Sequence, residues 1–329
     1  MAISGTQRTR VALIGAGLMG SLHARVVSQS ADAELSCVVD PDGRAAALLA
    51  DRFRTRWVPK LEDLGPFDAV IVASPTGTHA EWGHEAIAAG KPVLVEKPLS
   101  EDLAQTNSLI NDARRHHVPL MCGLLERFNP AVMTAMTIVD EPIHITGVRH
   151  SPYADRIATG VAYDLLIHDI DLVLRFANGT PTDVRSQLGH CHPKSAAYAE
   201  DVAEVSLQFD TGCIASLSAS RVSQRKVRML NIAELDRLVE LDLFRRDVVV
   251  YRHVGAELIE SASGGYRQQT VIDIPAITSA SEPLAGQLAH FLELARGNTD
   301  PEVELKSLEA PHRLTARAVE FGGLAVDSP

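Results

Sequence analysis

Lys97 and, separately, the polar stripe Asp164, His168, Asp171 and Arg175 are of residue types that can move a proton. Lys97 closes the run Pro92–Val95 in the sequence Glu96-Lys97-Pro98, at what reads as the carboxyl end of a buried strand. Burial there lowers an ammonium's pKa and turns it into a usable acid or base. Asp164, His168, Asp171 and Arg175 interrupt an otherwise apolar stretch from Gly160 to Phe176 at intervals of four, three and four. Those intervals place them on one face of a helix, and imidazole titrates in the range a proton-transfer step needs. A polar stripe on a greasy helix must meet water, a partner or a substrate. A solvated helix face would read the same way, as would a surface lysine at a strand end. Asp169 lies off the stripe and reads as ordinary surface.

A second constellation precedes them. The apolar run Val11–Ile14 leads into Gly15-Ala16-Gly17-Leu18-Met19-Gly20, then helical spacing to Ser28, a second apolar run Leu35–Val39, and Asp40. Gly15 permits the tight turn, Gly17 lets a pyrophosphate approach the backbone, and Gly20 lets the helix pack on the strand. The helix start offers unbonded N–H groups and a positive dipole end to phosphate. Asp40, twenty residues after Gly20, stands where a carboxylate binds both ribose hydroxyls. It would repel a 2′-phosphate, so NAD is expected over NADP, although Arg44 four residues on could soften that preference.

The elements that must position these groups alternate strand and helix as far as residue 124. Helices are expected at Asp42–Phe53, Glu81–Ala89 and from a Ser100 cap to His116. Strands are expected at Phe67–Ala73, Pro92–Val95 and Leu120–Leu125. Such alternation implies an α/β fold, a doubly wound parallel Rossmann sheet, whose ligands sit at the carboxyl edge of the strands. After Glu126 the pattern changes. A helix Pro130–Val139, a strand His144–His150 and the helix Gly160–Phe176 precede a long region of successive strands, Asp183–Ile274, including the hairpin Val202–Phe209/Cys213–Ser220. That implies an α+β domain with an open, mostly antiparallel sheet. Two closing helices, Glu282–Arg296 and Leu305–Phe321, follow. The domains are thus expected at 1–125, binding NAD, and 126–329, binding substrate and forming oligomers.

Composition limits the partners. The net charge of −11 and the lack of any basic run argue against nucleic acid. No apolar segment approaches the ~18 residues of a membrane span, and MAISGTQRTR lacks a signal peptide's apolar core. Cys37, Cys122, Cys191 and Cys213 include no C-x-x-C pair, so reduced thiols in a cytoplasmic protein are expected. His190-Cys191-His192 alternates faces on a strand and lacks a completing pair, so no metal is expected. One face of the second sheet needs a cover, which points to a homodimer or homotetramer built on strands such as Val202–Phe209 and Cys213–Ser220.

Taken together, GAGLMG at 15–20, ASPTGTH at 73–79, EKP at 96–98 and the D-x-x-x-H of Asp164 and His168 resemble the Gfo/Idh/MocA family of sugar and cyclitol oxidoreductases, in order and over nearly the whole chain. The resemblance implies NAD(P)-linked interconversion of a ring hydroxyl and a ketone. It implies that Lys97, Asp164 and His168 form the catalytic centre where the two domains meet, with a cis Lys97–Pro98 bond. It puts Leu18, Met19, Ser74, Pro75, Thr76 and His79 against the dinucleotide and Glu96 beside the nicotinamide ribose. Whether Lys97 or His168 is the immediate proton acceptor stays open. GLLERFNPAV at 123–132 and DLLIHDIDL at 164–172 further resemble the family's UDP-N-acetylglucosamine 3-dehydrogenase branch. A nucleotide-sugar diphosphate would need cations, and Arg127, Arg149, Arg156 and Arg221 are the candidates. A free cyclitol such as myo-inositol is the competing substrate, and a nucleotide-sensing regulator without chemistry is the reading from another class. Lys97 and His168 both being present argues against the regulator.

Overall fold

The structure, a computed structural model, describes residues 8–60, 65–155, 157–259, 265–279 and 281–322. Two compact units make up the chain: Met1–Leu125 with Pro283–Ala316, and Glu126–Glu282 with Arg317–Pro329. The sequence pattern groups 283–316 with the second domain; by contact they belong to the first.

In the first unit, strands β1 (Thr9–Ile14), β2 (Ala33–Val39), β3 (Arg56–Val58), β4 (Ala69–Val72), β5 (Val93–Val95) and β6 (Leu120–Cys122) form one sheet in the order β3-β2-β1-β4-β5-β6. Every pairing is parallel. β4 and β5 are wholly buried, because crossover helices cover both faces of a parallel sheet and leave no polar side. The helices are α1 (Leu18–Gln29), α2 (Gly43–Phe53), α3 (His79–Ala88) and α4 (Leu103–His116). β3 carries no apolar run to announce it, since it is an edge strand with Arg56 and Trp57 exposed. The cap of α4 is Asp102, whose carboxylate accepts from the Ala104 and Gln105 N–H groups. Ser100, the expected cap, instead accepts from the Asp102 N–H.

In the second unit, α5 (Pro130–Ala135) is a helix that stops short of Val139. β7 (His144–His150) follows, then α6 (Ile167–Phe176) and strands β8 (Pro181–Gly189), β9 (Val202–Phe209), β10 (Ile214–Ser220), β11 (Val227–Ala233), β12 (Leu238–Asp242), β13 (Asp247–Ile259) and β14 (Gly265–Asp273). They form an eight-stranded sheet, β14-β13-β12-β11-β7-β10-β9-β8, antiparallel except where β7 pairs with β10. α6 packs on β7 and β10. The apolar residues of β9 and β10, Ala203, Val205, Leu207, Ala215 and Leu217, are buried on one face. The opposite face of these strands shows Glu204, Ser206, Gln208 and Ser216, with Ile214 exposed among them. Two helices close the described chain, α7 (Pro283–Ala295) and α8 (Pro301–Gly322). α7 packs on α1, which explains why it joins the first unit. Among the described residues no helix is long and apolar enough to cross a membrane.

Arg10 of β1 holds Asp68, just before β4, through Nε at 2.9 Å and Nη2 at 2.7 Å. This bond comes first among the causes that bring the Asp68 carboxyl down to about 2. A depressed carboxyl stabilises the fold above its unfolded pKa of ~3.9 and loses that contribution as pH falls through its folded value. The stability advantage of the native chain over Asp68→Asn should therefore be full at about pH 5 and shrink toward about pH 2. Chemical unfolding at several pH values checks this, and a pH-independent difference would contradict it.

Candidate active site

The glycine turn is shaped by contact. Gly15 has φ +103°, and a Cβ there would lie 2.5 Å from the Ala73 carbonyl oxygen. A Cβ on Gly20 would strike the Gly15 carbonyl, so α1 lies flush on the turn. Gly17 is different: a Cβ there would meet nothing within 4 Å. Gly17 caps α1 without a side-chain bond, and no acidic residue occupies the first turn. Open space, a bare helix start and its positive dipole end are what a pyrophosphate requires. Leu18 is 59% exposed beside it, and Met19 is half-buried. Asp40 accepts from the Ala16 N–H at 2.7 Å and from the Asp42 N–H at 2.8 Å. Its carboxylate is thus fixed at the mouth of the turn. These residues fit a bound dinucleotide.

Parallel pairing brings two further turns to the same sheet edge. The Ala73 N–H donates to Ile14 O at 2.7 Å and the Glu96 N–H to Val72 O at 2.9 Å. After β4, Ser74 and Pro75 lead into a 3-10 turn, Thr76–Thr78, where the Thr78 hydroxyl donates to Ser74 Oγ at 2.8 Å. His79 departs from its expected role. It is buried, and both ring nitrogens face protein carbonyls, Pro98 O at 2.7 Å and Ser74 O at 2.9 Å. No polar atom of the ring is left for a dinucleotide. After β5, Glu96 is buried against His23 Nε2 at 2.7 Å, and a Cβ on Gly123 would collide with its carboxylate. Lys97 is half-buried, and the Lys97–Pro98 bond is cis, as expected. His23 of α1, which holds Glu96, was not singled out by the sequence pattern.

Asp164 and His168 sit at the start of the second unit's helix. Its first turn, Ala162–Leu166, is a π-helix, a geometry often found at functional sites. Glu200 builds that start: Oε1 accepts from the Ala162 N–H at 2.7 Å, and a side chain at Gly160 would overlap the carboxylate. Asp164 and His168 are half-buried. The wider turn alters the helix phase, and the expected stripe does not continue. Asp171 is buried in a bidentate pair with Arg127, at 2.9 and 2.7 Å. Asp169, expected on the surface, is buried too. Arg149 on β7, 2% exposed, holds it through Nε at 2.9 Å and Nη2 at 2.8 Å, and reaches Glu126 through Nη1 at 2.8 Å.

Three arginines read as phosphate ligands are therefore bound within the fold. Arg127 is held by Asp171, Arg149 by Asp169 and Glu126, and Arg221 is buried against the Ile157 and Thr159 carbonyls and Asp201. Arg156 lies outside the described residues. Arg228 was not anticipated. It pairs with Arg149 across the β7–β11 ladder, its side chain is 38% exposed, and it lies 3.5 Å from Glu126. Burial, then the Arg149 charge, loosens its proton, while Glu126, Asp169 and Asp164 oppose that. Arg228 is thus a partly exposed cation within electrostatic reach of Asp164. It lies 64 residues from Asp164 in sequence, and only strand register reveals it. Among the described residues no group of three or more His, Cys, Asp or Glu is placed to hold a metal ion.

Residues 9–124 match the oxidoreductase family with an NAD-binding Rossmann fold, GFO_IDH_MocA, and residues 140–233 match the GFO/IDH/MocA C-terminal domain. The chain belongs to the Gfo/Idh/MocA oxidoreductase family. It is 30% identical over 286 residues, 86% of this chain and 87% of the relative, to UDP-N-acetylglucosamine 3-dehydrogenase of Acidithiobacillus ferrooxidans. It is 31% identical over 237 residues, 66% of this chain and 68% of the relative, to scyllo-inositol 2-dehydrogenase (NAD(+)) of Bacillus subtilis. A solved structure of the Acidithiobacillus enzyme superposes with a TM-score of 0.81 at 26% identity, covering 97% of this chain and 100% of that one.

Within this Gfo/Idh/MocA chain, Arg149 is the cation on which two buried carboxylates depend. Removing one member of a buried ion network leaves the others uncompensated, at a cost of ~3–5 kcal/mol. Arg149→Met should lower stability toward denaturant by that amount, and Arg149→Lys should recover only part of it, because an ammonium cannot form the bidentate pair. A loss below about 1 kcal/mol for the methionine variant would show that the carboxylates find other partners.

Proposed function

We propose that this chain is an NAD-dependent dehydrogenase of a carbohydrate ring hydroxyl, acting on a UDP-N-acetylhexosamine. The observation that carries the substrate class is the likeness to UDP-N-acetylglucosamine 3-dehydrogenase along 86% of the chain, against 66% for the inositol enzyme. The alternative, a free cyclitol or monosaccharide, keeps the same reaction and is favoured by the inositol relatives.

The roles follow from the residues. The open backbone at Gly17 and the unblocked start of α1 receive the pyrophosphate, and Asp40 receives the ribose hydroxyls and disfavours a 2′-phosphate. When bound, the dinucleotide supplies the hydride acceptor. Lys97 and His168 handle the hydroxyl proton and Asp164 balances their charge. Arg228, rather than Arg127, Arg149 or Arg221, is the cation proposed for the substrate's anionic group, because its side chain is partly exposed while theirs are buried in pairs within the fold.

The deciding experiment follows NADH formation with UDP-sugars and free cyclitols side by side. Turnover of the free cyclitol alone would overturn the nucleotide-sugar reading. Lys97→Ala and His168→Ala should each lower kcat by ~10²–10⁴-fold, and near-normal turnover in either would remove that residue from the chemistry. Arg228→Met should raise KM for the nucleotide sugar by ~10-fold, the worth of one charge-assisted bond, and leave KM for a free cyclitol unchanged.

A second copy of the chain is the proposed cover for the outer face of the eight-stranded sheet. One register row there runs Ile214, His144, Ala233, Leu238, Tyr251, Ile272, with Ile214 and Ile272 exposed. An exposed apolar row of this kind is typical of an interface. Light scattering should return a dimer or tetramer, and Tyr251→Lys should shift it toward monomer. A monomeric native chain at micromolar concentration would contradict the proposal.

A further inference from the structure

His79 opens α3 and is 2% exposed. Its Nδ1 lies 2.7 Å from Pro98 O and its Nε2 2.9 Å from Ser74 O. A backbone carbonyl only accepts. A neutral imidazole has one N–H and one bare nitrogen, so in either tautomer one of these contacts would set a lone pair against a lone pair. A ring with hydrogen on both nitrogens makes both bonds. His312, equally buried, shows the other arrangement. It accepts the Leu99 N–H at Nε2, 3.1 Å, and faces the Leu308 carbonyl at Nδ1, 2.7 Å, which one neutral tautomer satisfies. Two buried histidines one residue apart in their contacts, at Pro98 and Leu99, thus require different proton inventories.

Glu96, at the end of β5, is the carboxylate that faces this region, with Lys97 following it and His23 of α1 bonded behind it. The groups near His79 on its own turn, Ser74 and Thr78, are neutral. Burial by itself would push the Glu96 carboxyl up; the bond and charge of His23, then the charge of Lys97, hold it below its usual value.

We propose that His79 is a positioning residue, held as a doubly protonated ring, that locks the Ser74–Thr78 turn to the Lys97–Pro98 turn. The two bonds span from β4's carboxyl end to β5's, so the backbone carrying Lys97 is tied to the turn beside the glycine loop. The functional part rests on the role given to Lys97 above; the protonation part stands on the hydrogen-bond inventory alone.

The test uses the full chain labelled with ¹⁵N-histidine. At neutral pH one buried ring should show two protonated nitrogens with slowly exchanging hydrogens, a pattern read in the native protein itself, and His79→Gln should delete it. A bare nitrogen on the His79 ring would overturn the protonation. His79→Gln keeps one donor and loses the second bond and the charge. It should lower kcat by ~10–100-fold, as small displacements of a positioned group do, with KM for NAD changed by less than about twofold. A kcat equal to the native enzyme's would overturn the positioning role. If Lys97→Ala turned over normally while the ring pattern persisted, the fault would lie with the role given to Lys97 and not with His79. Should His79→Gln not fold, His79→Asn provides the kinetic comparison, and the native spectrum still decides the protonation.

Discussion

A buried guanidinium must be surrounded by carboxylates, and in this protein that demand organises the second unit. Arg149 sits on the inner face of β7, 2% exposed, where an uncompensated charge would be prohibitive. Glu126 and Asp169 answer it from different elements, the turn before α5 and the helix α6. Their bonds fix α6 against the sheet, and α6 follows directly from the π-turn that carries Asp164. Gly147, two residues before Arg149, completes the fit: a side chain there would strike Leu217 and approach Asp169. Asp164 and His168, both half-buried, are therefore carried by a helix anchored to the sheet.

The first unit solves a different problem, close approach of backbone to backbone. Gly15 and Gly20 leave no room for a Cβ, and Gly17 leaves room for a ligand. The turns after β1, β4 and β5 then share one sheet edge because all three strands run parallel. Buried histidines finish the arrangement. His23 ties α1 to Glu96, and His79 ties two turns together. Family membership and this geometry agree on an oxidoreductase built on an NAD-binding Rossmann fold.

Much of this was legible in the chain. The turn at Gly15, Gly17 and Gly20 is announced by spacing, because such a turn constrains the backbone locally. Buried parallel strands are continuous apolar runs, and β7 spans the residues expected of it, since period-two burial is a local property. Errors fell where local signals were weak or misleading. Edge strand β3 buries little, Ser100 and Asp102 are both good caps, and α7 has an amphipathic face that names no partner.

The sequence by itself determined the fold class, the glycine turn and the NAD-binding character of the first unit, because each depends on residue type and short-range spacing. Tertiary structure alone decided which charged residues are used up inside the fold. Arg127, Arg149 and Arg221 look like anion ligands in one dimension, yet each meets carboxylates or carbonyls brought from 20 to 64 residues away. Asp169 looks like surface but lies opposite Arg149. Arg228 gains its place opposite Arg149 and near Glu126 only through the register of β11 on β7. The physical reason is that burial and charge pairing are properties of position in space, which spacing along the chain encodes only within a single helix or strand.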